Sequence, residues 1–280
     1  MTIGNLERQA AAKSFAAAAI RDVALTSDGK DRAPAATFDG AGEALRDLRS
    51  FGRRRGRKAT DRQRMLLETV LPRVAVDPEA VASACAPSAA GVRELAAALG
   101  FEVAPRELWL EIGFGGGEHL VAQALACSDI GLIGAEPFED GVVKVLDAIE
   151  TEAIANIRVL ADDVRPLLRA LPAASLSRVF VLFPDPWPKR RHQKRRLIQP
   201  DFVELLARVL KPGGEFRFAS DIDDYVRTAL IAITGNPHFS WVVGRPSDWR
   251  TRPEDWPQTR YEQKAYREGR KGYFFRFRRI

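Results

Sequence analysis

From residue 108 onward the hydrophobic positions fall into short runs that alternate with helical patterns as far as about residue 234. The runs at 108–112, 131–135, 157–160, 179–183 and 215–219 are mostly apolar and end near Gly, Pro or Asp, the pattern of short strands separated by turns. Helical spacing fills each gap, and right-handed crossovers between such strands build a doubly wound, mostly parallel α/β sheet. Two further runs, 240–243 and 273–277, bring the expected sheet to seven strands. The segment between them contains Trp249, Trp256, Thr259 and Glu262 and is too long for a plain hairpin; segments of that length inside a domain usually carry function or lack order.

Upstream the pattern is weaker. Residues 5–25 are rich in alanine with little bulk for a core, and 27–42 combine Gly, Asp, Pro and Ala with no apolar period, as a linker or disordered segment does. Residues 46–64 hold Arg46, Arg49, Arg53, Arg54, Arg55, Arg57, Lys58, Arg62 and Arg64 against only Asp47 and Asp61. Thr60 and Gln63 form a capping box that opens a helix bearing Met65, Leu66, Leu67 and Val70, expected to stop at Pro72. A second helix is expected over 89–99, closed by Gly100. The chain therefore divides into an extension (1–45), a basic arm with a helical region (46–100) and an α/β domain (101–280).

Composition narrows the class. At 280 residues, 46% hydrophobic and 29% charged, the chain can bury a core without disulfides or metal. A formal charge of +6 favours an acidic partner, nucleic acid or an anionic membrane surface, and the clustering of the basic residues is what a phosphate backbone rewards. Cys85 and Cys127 stand alone, which fits a reducing cytoplasm and argues against structural zinc. No run of about 18 apolar residues suggests a membrane span, and no signal-peptide pattern is present.

The chemistry-bearing stretch is 178–196, RVFVLFPDPWPKRRHQKRR. Its apolar run suits a central strand; Pro184, Pro186 and Pro188 then forbid helix and ladder, leaving Asp185 and Trp187 on a rigid loop at the carboxyl end, where open α/β sheets bind ligands. Trp187 either stacks on a base or fills the turn. Lys189, Arg190, Arg191, Lys194, Arg195 and Arg196 make the loop strongly positive. A second loop, Gly113-Phe114-Gly115-Gly116-Gly117, follows the first strand and precedes a helix beginning near Glu118. Such a turn admits a nucleotide-like ligand close to the backbone, but Glu118 stands where the dinucleotide fingerprint needs a third glycine and would repel a pyrophosphate. Glu111 before the turn suits a cationic or amine-bearing ligand, as S-adenosylmethionine is. Glu136 ends the second strand, where an acid caps ribose hydroxyls, and Asp162 and Asp163 end the third, within reach of an adenine amino group.

GFGGGEHL from Gly113, FPDPWPKRRHQKRR from Phe183, LKPGGEFRFASDIDDY from Leu210, TRYEQKAYREG from Thr259 and the basic arm from Arg49 together strongly resemble the bacterial tRNA (guanine-N7-)-methyltransferase family, from about Arg49 to the C-terminus. The resemblance implies a Rossmann-like class I methyltransferase fold, S-adenosylmethionine as cofactor, and tRNA as partner, methylated at guanine 46 of the variable loop. It carries the cofactor carboxylates onto Glu111, Glu136 and Asp163, and the acid of the proline turn onto Asp185. RNA or guanine binding falls on Lys189, Asp221, Thr259, Arg260, Tyr261 and Glu262. Asp162 beside Asp163 leaves the adenine contact open by one residue, and Asp185 and Asp221 both have a claim on the guanine edge. The basic residues Arg53, Arg54, Arg55, Arg190, Arg191, Lys194, Arg195 and Arg196 would grip phosphates. No metal is called for. A nucleic-acid-binding protein that has lost its cofactor, or a nicotinamide enzyme with an unrelated basic surface, are the rival classes; the first has no need of the glycine turn with Glu111, Glu136 and Asp163, and the second would want glycine at position 118.

Overall fold

The computed structural model describes residues 59–85 and 92–280. Its seven strands form one sheet in the order β3-β2-β1-β4-β5-β7-β6, comprising β1 (Glu107–Ile112), β2 (Ile130–Ala135), β3 (Ile157–Leu160), β4 (Leu176–Leu182), β5 (Leu210–Ser220), β6 (Phe239–Trp241) and β7 (Tyr273–Arg279). β1 to β5 are parallel, β7 runs antiparallel to β5, and β6 pairs antiparallel with β7 at the edge. The seven expected strands are all present, with bounds moved by a few residues.

The apolar runs read as buried strands because both faces are covered. Along β4, Val179 and Val181 join one buried cluster while Phe180 and Leu182 join the other, as a side-chain period of two requires. The first layer contains Leu167, Phe202, Leu206, Val226 and Leu230 from the helices Val164–Ala170, Pro200–Val209 and Asp223–Gly235. The second contains Leu120, Val142, Val145 and Leu146 from the helices Glu118–Ala126 and Glu139–Thr151.

The capping box of Thr60 and Gln63 opens the helix Asp61–Thr69, whose Leu66 is buried in this second layer. The expected stop at Pro72 is corrected: the helix ends at Thr69, and Pro72 lies in the first turn of a separate short helix, Leu71–Val74, where a missing N–H costs nothing. Val76 N–H then donates to Val159 O at 2.9 Å, so this segment covers the otherwise open edge of β3. Gly100, at φ +83°, closes the helix Val92–Ala98, with Phe101 N–H donating to Ala96 O. The expected N-terminal helix, the linker, residues 46–58 of the basic arm and residues 89–91 lie outside the described residues.

The long connection from β6 to β7 is not structureless, because it contains the helices Ser247–Arg250 and Arg260–Arg267. Its inner end is fixed by aromatic packing on β7. Phe275 is fully buried, stacks on Phe218 with centroids 5.9 Å apart and on Trp249 at 6.5 Å, and meets Trp241 at 5.6 Å. Phe275→Ala removes the ring shared by β5, β6 and the connection; a loss of about 3–5 kcal/mol is expected in urea unfolding.

Candidate active site

The carboxyl ends of β1, β2, β4 and β5 converge on the glycine turn. Gly115 sits at φ +56° and its side facing the crevice lies against the Tyr261 ring: a Cβ there would come 2.8 Å from Tyr261 Cε2. Gly113, at φ +72°, has nothing within 4 Å of where a Cβ would stand, so the turn is open on that side. Glu136 closes the turn from β2. Its Oε2 accepts from Gly115 N–H at 2.8 Å and its Oε1 from Phe138 N–H at 2.9 Å, the latter at the start of the helix Glu139–Thr151. The carboxylate is 8% exposed. Burial raises its pKa, the two N–H donors oppose that, and the negative charges of Asp185 and Glu111 add to it.

Asp185 lies on the proline loop after β4. Phe183 N–H continues the ladder to Ala219 O at 2.8 Å; then Phe183 (φ +51°) and Trp187 (φ +42°) turn the chain through the left-handed region. The Asp185 side chain is exposed, yet the loop and strand ends around it partly desolvate the carboxyl and raise its pKa. Trp187 fills the turn: it meets His192 edge-on at 5.9 Å, and the Arg195 guanidinium lies 5.1 Å from its ring centroid. The basic run forms the 3-10 helix Arg190–Arg195. Lys189, Arg190, Arg191 and Lys194 are exposed, and Arg195 is half-buried.

Arg196 corrects the sequence expectation. It is 2% exposed and donates to Pro186 O, Asp224 O, Thr228 Oγ1 and Asp224 Oδ2, the last at 2.5 Å. Its guanidinium ties the proline loop to the helix Asp223–Gly235 and is not available to a phosphate. Sequence gives no sign of this, because the sixth cation of a basic run looks like the others. Arg53, Arg54 and Arg55 lie outside the described residues.

The Thr259–Glu262 stretch divides in the same way. Thr259 caps the helix Arg260–Arg267 by accepting from Glu262 N–H at 3.2 Å. Glu262 is 1% exposed and pairs with Arg252 at 3.2 Å, its carboxyl raised chiefly by burial. Only Arg260 and Tyr261 face out, and both reach the glycine turn: Arg260 ion-pairs with Glu118, and Tyr261 lies on Gly115. Burial, then Glu136 and Asp185, raise the Tyr261 phenol.

The segment is anchored by residues that sequence reading passed over. Buried Arg217 on β5 donates to Asp255 Oδ2 at 2.7 Å, Gln123 donates to Asp255 O at 2.9 Å, and Trp256 is buried against Phe274. Asp221, after β5, accepts from Arg270 Nε at 2.6 Å, and Arg270 also pairs with Glu268. An Arg inside an alternating strand such as Phe216-Arg217-Phe218 was the one available signal for Arg217.

The remaining acids are further apart in role. Asp163 caps the helix Val164–Ala170: Oδ1 accepts from Arg165 N–H and Oδ2 from Arg165 Nη1, both at 2.8 Å, while Asp162 is exposed and accepts from Asp163 N–H. Glu111 is buried beneath the glycine turn beside His119. Among the described residues no group of three or more His, Cys, Asp or Glu could hold a metal ion, and no helix is long and apolar enough to cross a membrane.

A family model described as "Putative methyltransferase" matches residues 105–275, which span β1 through the start of β7. The chain is 47% identical over 241 residues to the tRNA (guanine-N(7)-)-methyltransferase of Rhodospirillum rubrum, covering 83% of this chain and 88% of that one. It is 48% identical to the enzyme of the same name from Nitrobacter hamburgensis (82% and 86% covered) and 55% identical to that of Ruegeria pomeroyi (62% and 73% covered). The chain belongs to the tRNA (guanine-N(7)-)-methyltransferase family.

A methyltransferase of this family and fold uses S-adenosylmethionine, and the turn has features that fit it. The glycine backbone is open at Gly113, and the surrounding side chains Glu136 and Asp185 are acids, suited to a sulfonium, an ammonium and hydroxyls rather than to a pyrophosphate. The raised Asp185 carboxyl has a consequence for folding. A carboxyl whose pKa is higher in the folded than in the unfolded protein favours folding while protonated, and that advantage is lost as pH rises through the folded value. Asp185→Asn is therefore expected to melt at the same temperature as the parent in acid and above it at neutral and alkaline pH, while losing turnover; thermal unfolding across pH 4 to about 9 checks the sign.

Proposed function

We propose that the protein transfers the methyl group of S-adenosylmethionine to N7 of a guanine in tRNA, at position 46 of the variable loop, in the cytoplasm. The observation that carries this reading is the meeting of Gly115, Glu136, Asp185 and Tyr261 in one crevice of a chain that belongs to this family.

The cofactor supplies an electrophilic methyl on a positively charged sulfur. On the protein side, Glu136 would take the ribose hydroxyls, the open backbone at Gly113 the amino-acid moiety, and Asp163 or Asp162 at the end of β3 the adenine amino group. Guanine N7 carries a lone pair in the base plane, so no proton has to leave before methylation. The work of the protein is then to align N7 with the methyl at near-attack distance, an orientational contribution. As methyl moves, positive charge moves onto the base. Asp185, at a partly desolvated loop, accepts from guanine N1–H or its amino group and stabilises that charge. Asp221, held by Arg270 just past β5, is the other carboxylate with a claim on the guanine edge. Tyr261 presents an aromatic face over the glycine turn, suited to packing on a base or sugar.

Lys189, Arg190, Arg191 and Lys194 make the surface flanking this crevice positive and grip tRNA phosphates. Arg195 and Arg196 belong to the loop's own framework. The described helical region packs against β3 and the helix Glu139–Thr151, where Arg62 pairs with Asp147, and Arg73 with Glu150 at 2.6 Å. We take the described residues 59–85 and 92–100 as one folded body with the α/β domain.

The test uses unmodified tRNA and methyl-labelled cofactor, followed by strand cleavage at 7-methylguanine; label at guanine 46 is expected, and label at another atom or base overturns the reading. In the same assay Asp185→Ala should lower kcat by about 100-fold or more with tRNA affinity within about threefold. Lys189→Ala and Arg190→Ala should each weaken tRNA binding and reduce the slope of log affinity against log salt by about 1. Equal losses of turnover and affinity in all three contradict this division of labour.

A further inference from the structure

His119 is not used by the mechanism above, and its surroundings are unusual. It is the second residue of the helix Glu118–Ala126 and is 1% exposed; its Nδ1 lies 2.7 Å from Glu111 Oε2, and Glu111 is itself 4% exposed. On β1, Glu111 is in register with Gly134 on β2 and Phe180 on β4, so its side chain sits at the centre of the sheet, with the His119 ring edge-on to Phe180 at 4.7 Å. Nδ1 faces the carboxylate, and Nε2 has no hydrogen-bond partner among the described residues. A buried carboxylate is costly unless paired, and a buried nitrogen without a partner adds to that cost. Two apolar side chains would fill this place at lower cost, so packing alone does not account for the pair.

Its position along the chain does. Glu111 lies two residues before Gly113 and His119 two residues after Gly117, so the bond closes across a five-residue turn containing four glycines. Glycine loses more backbone freedom on ordering than any other residue, so an unbraced turn of this composition pays that cost when a ligand orders it. Backbone bonds also hold the turn, from Gly113 N–H to Ala135 O at 2.8 Å and from Gly117 N–H to Phe114 O at 2.9 Å. At Gly115 the N–H donates to Glu136, the carboxylate that the proposed ribose contact would claim. The Glu111–His119 bond is buried and involves neither Glu136 nor its N–H partners.

We propose that His119 is a positioning residue: through Glu111 it staples the glycine turn in its binding conformation, and it thereby sets the affinity for S-adenosylmethionine without touching it. This rests on the methyltransferase reading for the identity of the ligand, but the brace itself is readable without one. Three measurements on the full-length protein test it, using His119→Phe, which keeps a ring against Phe180, and His119→Asn, which keeps a donor near the Nδ1 position. Without cofactor, amide exchange at Gly115, Gly116 and Gly117 should speed up about tenfold or more in His119→Phe, less in His119→Asn, with exchange in β4 and β5 unchanged. Calorimetric titration with S-adenosylmethionine should show about 10- to 100-fold weaker binding for His119→Phe and substantial rescue by His119→Asn, with the KM for cofactor rising more than kcat falls and tRNA affinity unaltered.

In a Glu111→Leu background, which cannot accept the Nδ1–H bond, His119→Phe should weaken cofactor binding little further. Unchanged exchange in the turn, fully additive effects with Glu111→Leu, or parallel losses of cofactor and tRNA binding with global destabilisation in both variants would overturn the proposal. If the parent protein binds no S-adenosylmethionine, the methyltransferase reading fails, and the exchange rates alone still decide for or against the staple.

Discussion

The crevice depends on how one buried carboxylate is satisfied. Glu136 leaves the end of β2 into a site with 8% exposure, and its two oxygens are met by the N–H groups of Gly115 and Phe138. Hydrogen bonds to an ionised group contribute about 1.5–3 kcal/mol each, enough to offset much of the desolvation that raises the carboxyl. One residue therefore fixes the first turn of β1 and the start of the helix after β2 relative to each other. The helix Glu139–Thr151 comes so close to this turn that a Cβ on Gly141 would overlap Gly115 O. Gly141 is needed at that crossing by space, and Gly115 by its left-handed backbone angle.

Around this centre the structure places like charges near one another and separates them from the cations. The charges of Asp185 and Glu111 help to raise the Glu136 carboxyl, and Glu136 and Asp185 also raise the Tyr261 phenol. Such a cluster is unfavourable alone and becomes favourable with a cation in its midst, which is the electrostatic description of a sulfonium site. The basic surface lies on the 3-10 helix beyond the proline loop, and Arg196 bolts that loop to the helix Asp223–Gly235. A rigid loop lets one strand end carry an acid for the base and cations for the backbone a few residues apart.

The connection between β6 and β7 supplies the fourth wall. Buried Arg217 pairs with Asp255, Trp256 packs on Phe274, and Thr259 caps the helix that puts Arg260 on Glu118 and Tyr261 on Gly115. The ion pair between Arg260 and Glu118 is exposed and contributes little to stability, but it joins the turn assigned to cofactor with the segment assigned to substrate.

The sequence by itself determined the seven strands, their mostly parallel order and the two loops at the strand ends, because strand period, proline and glycine are local signals that act over a few residues. It also singled out Glu136 and Asp185, which tertiary structure brings to the same crevice. Roles that depend on partners far along the chain were decided only by the fold. Arg196 and Arg195 looked alike in one basic run until burial separated Arg196 from the surface, and Thr259 and Glu262 looked like Arg260 and Tyr261 until the helix that Thr259 caps turned them inward. Arg217, Asp255 and the pairing of Glu111 with His119 fall in the same class, since a buried charge acquires meaning only from the group that compensates it, and that group is fixed by topology rather than by spacing.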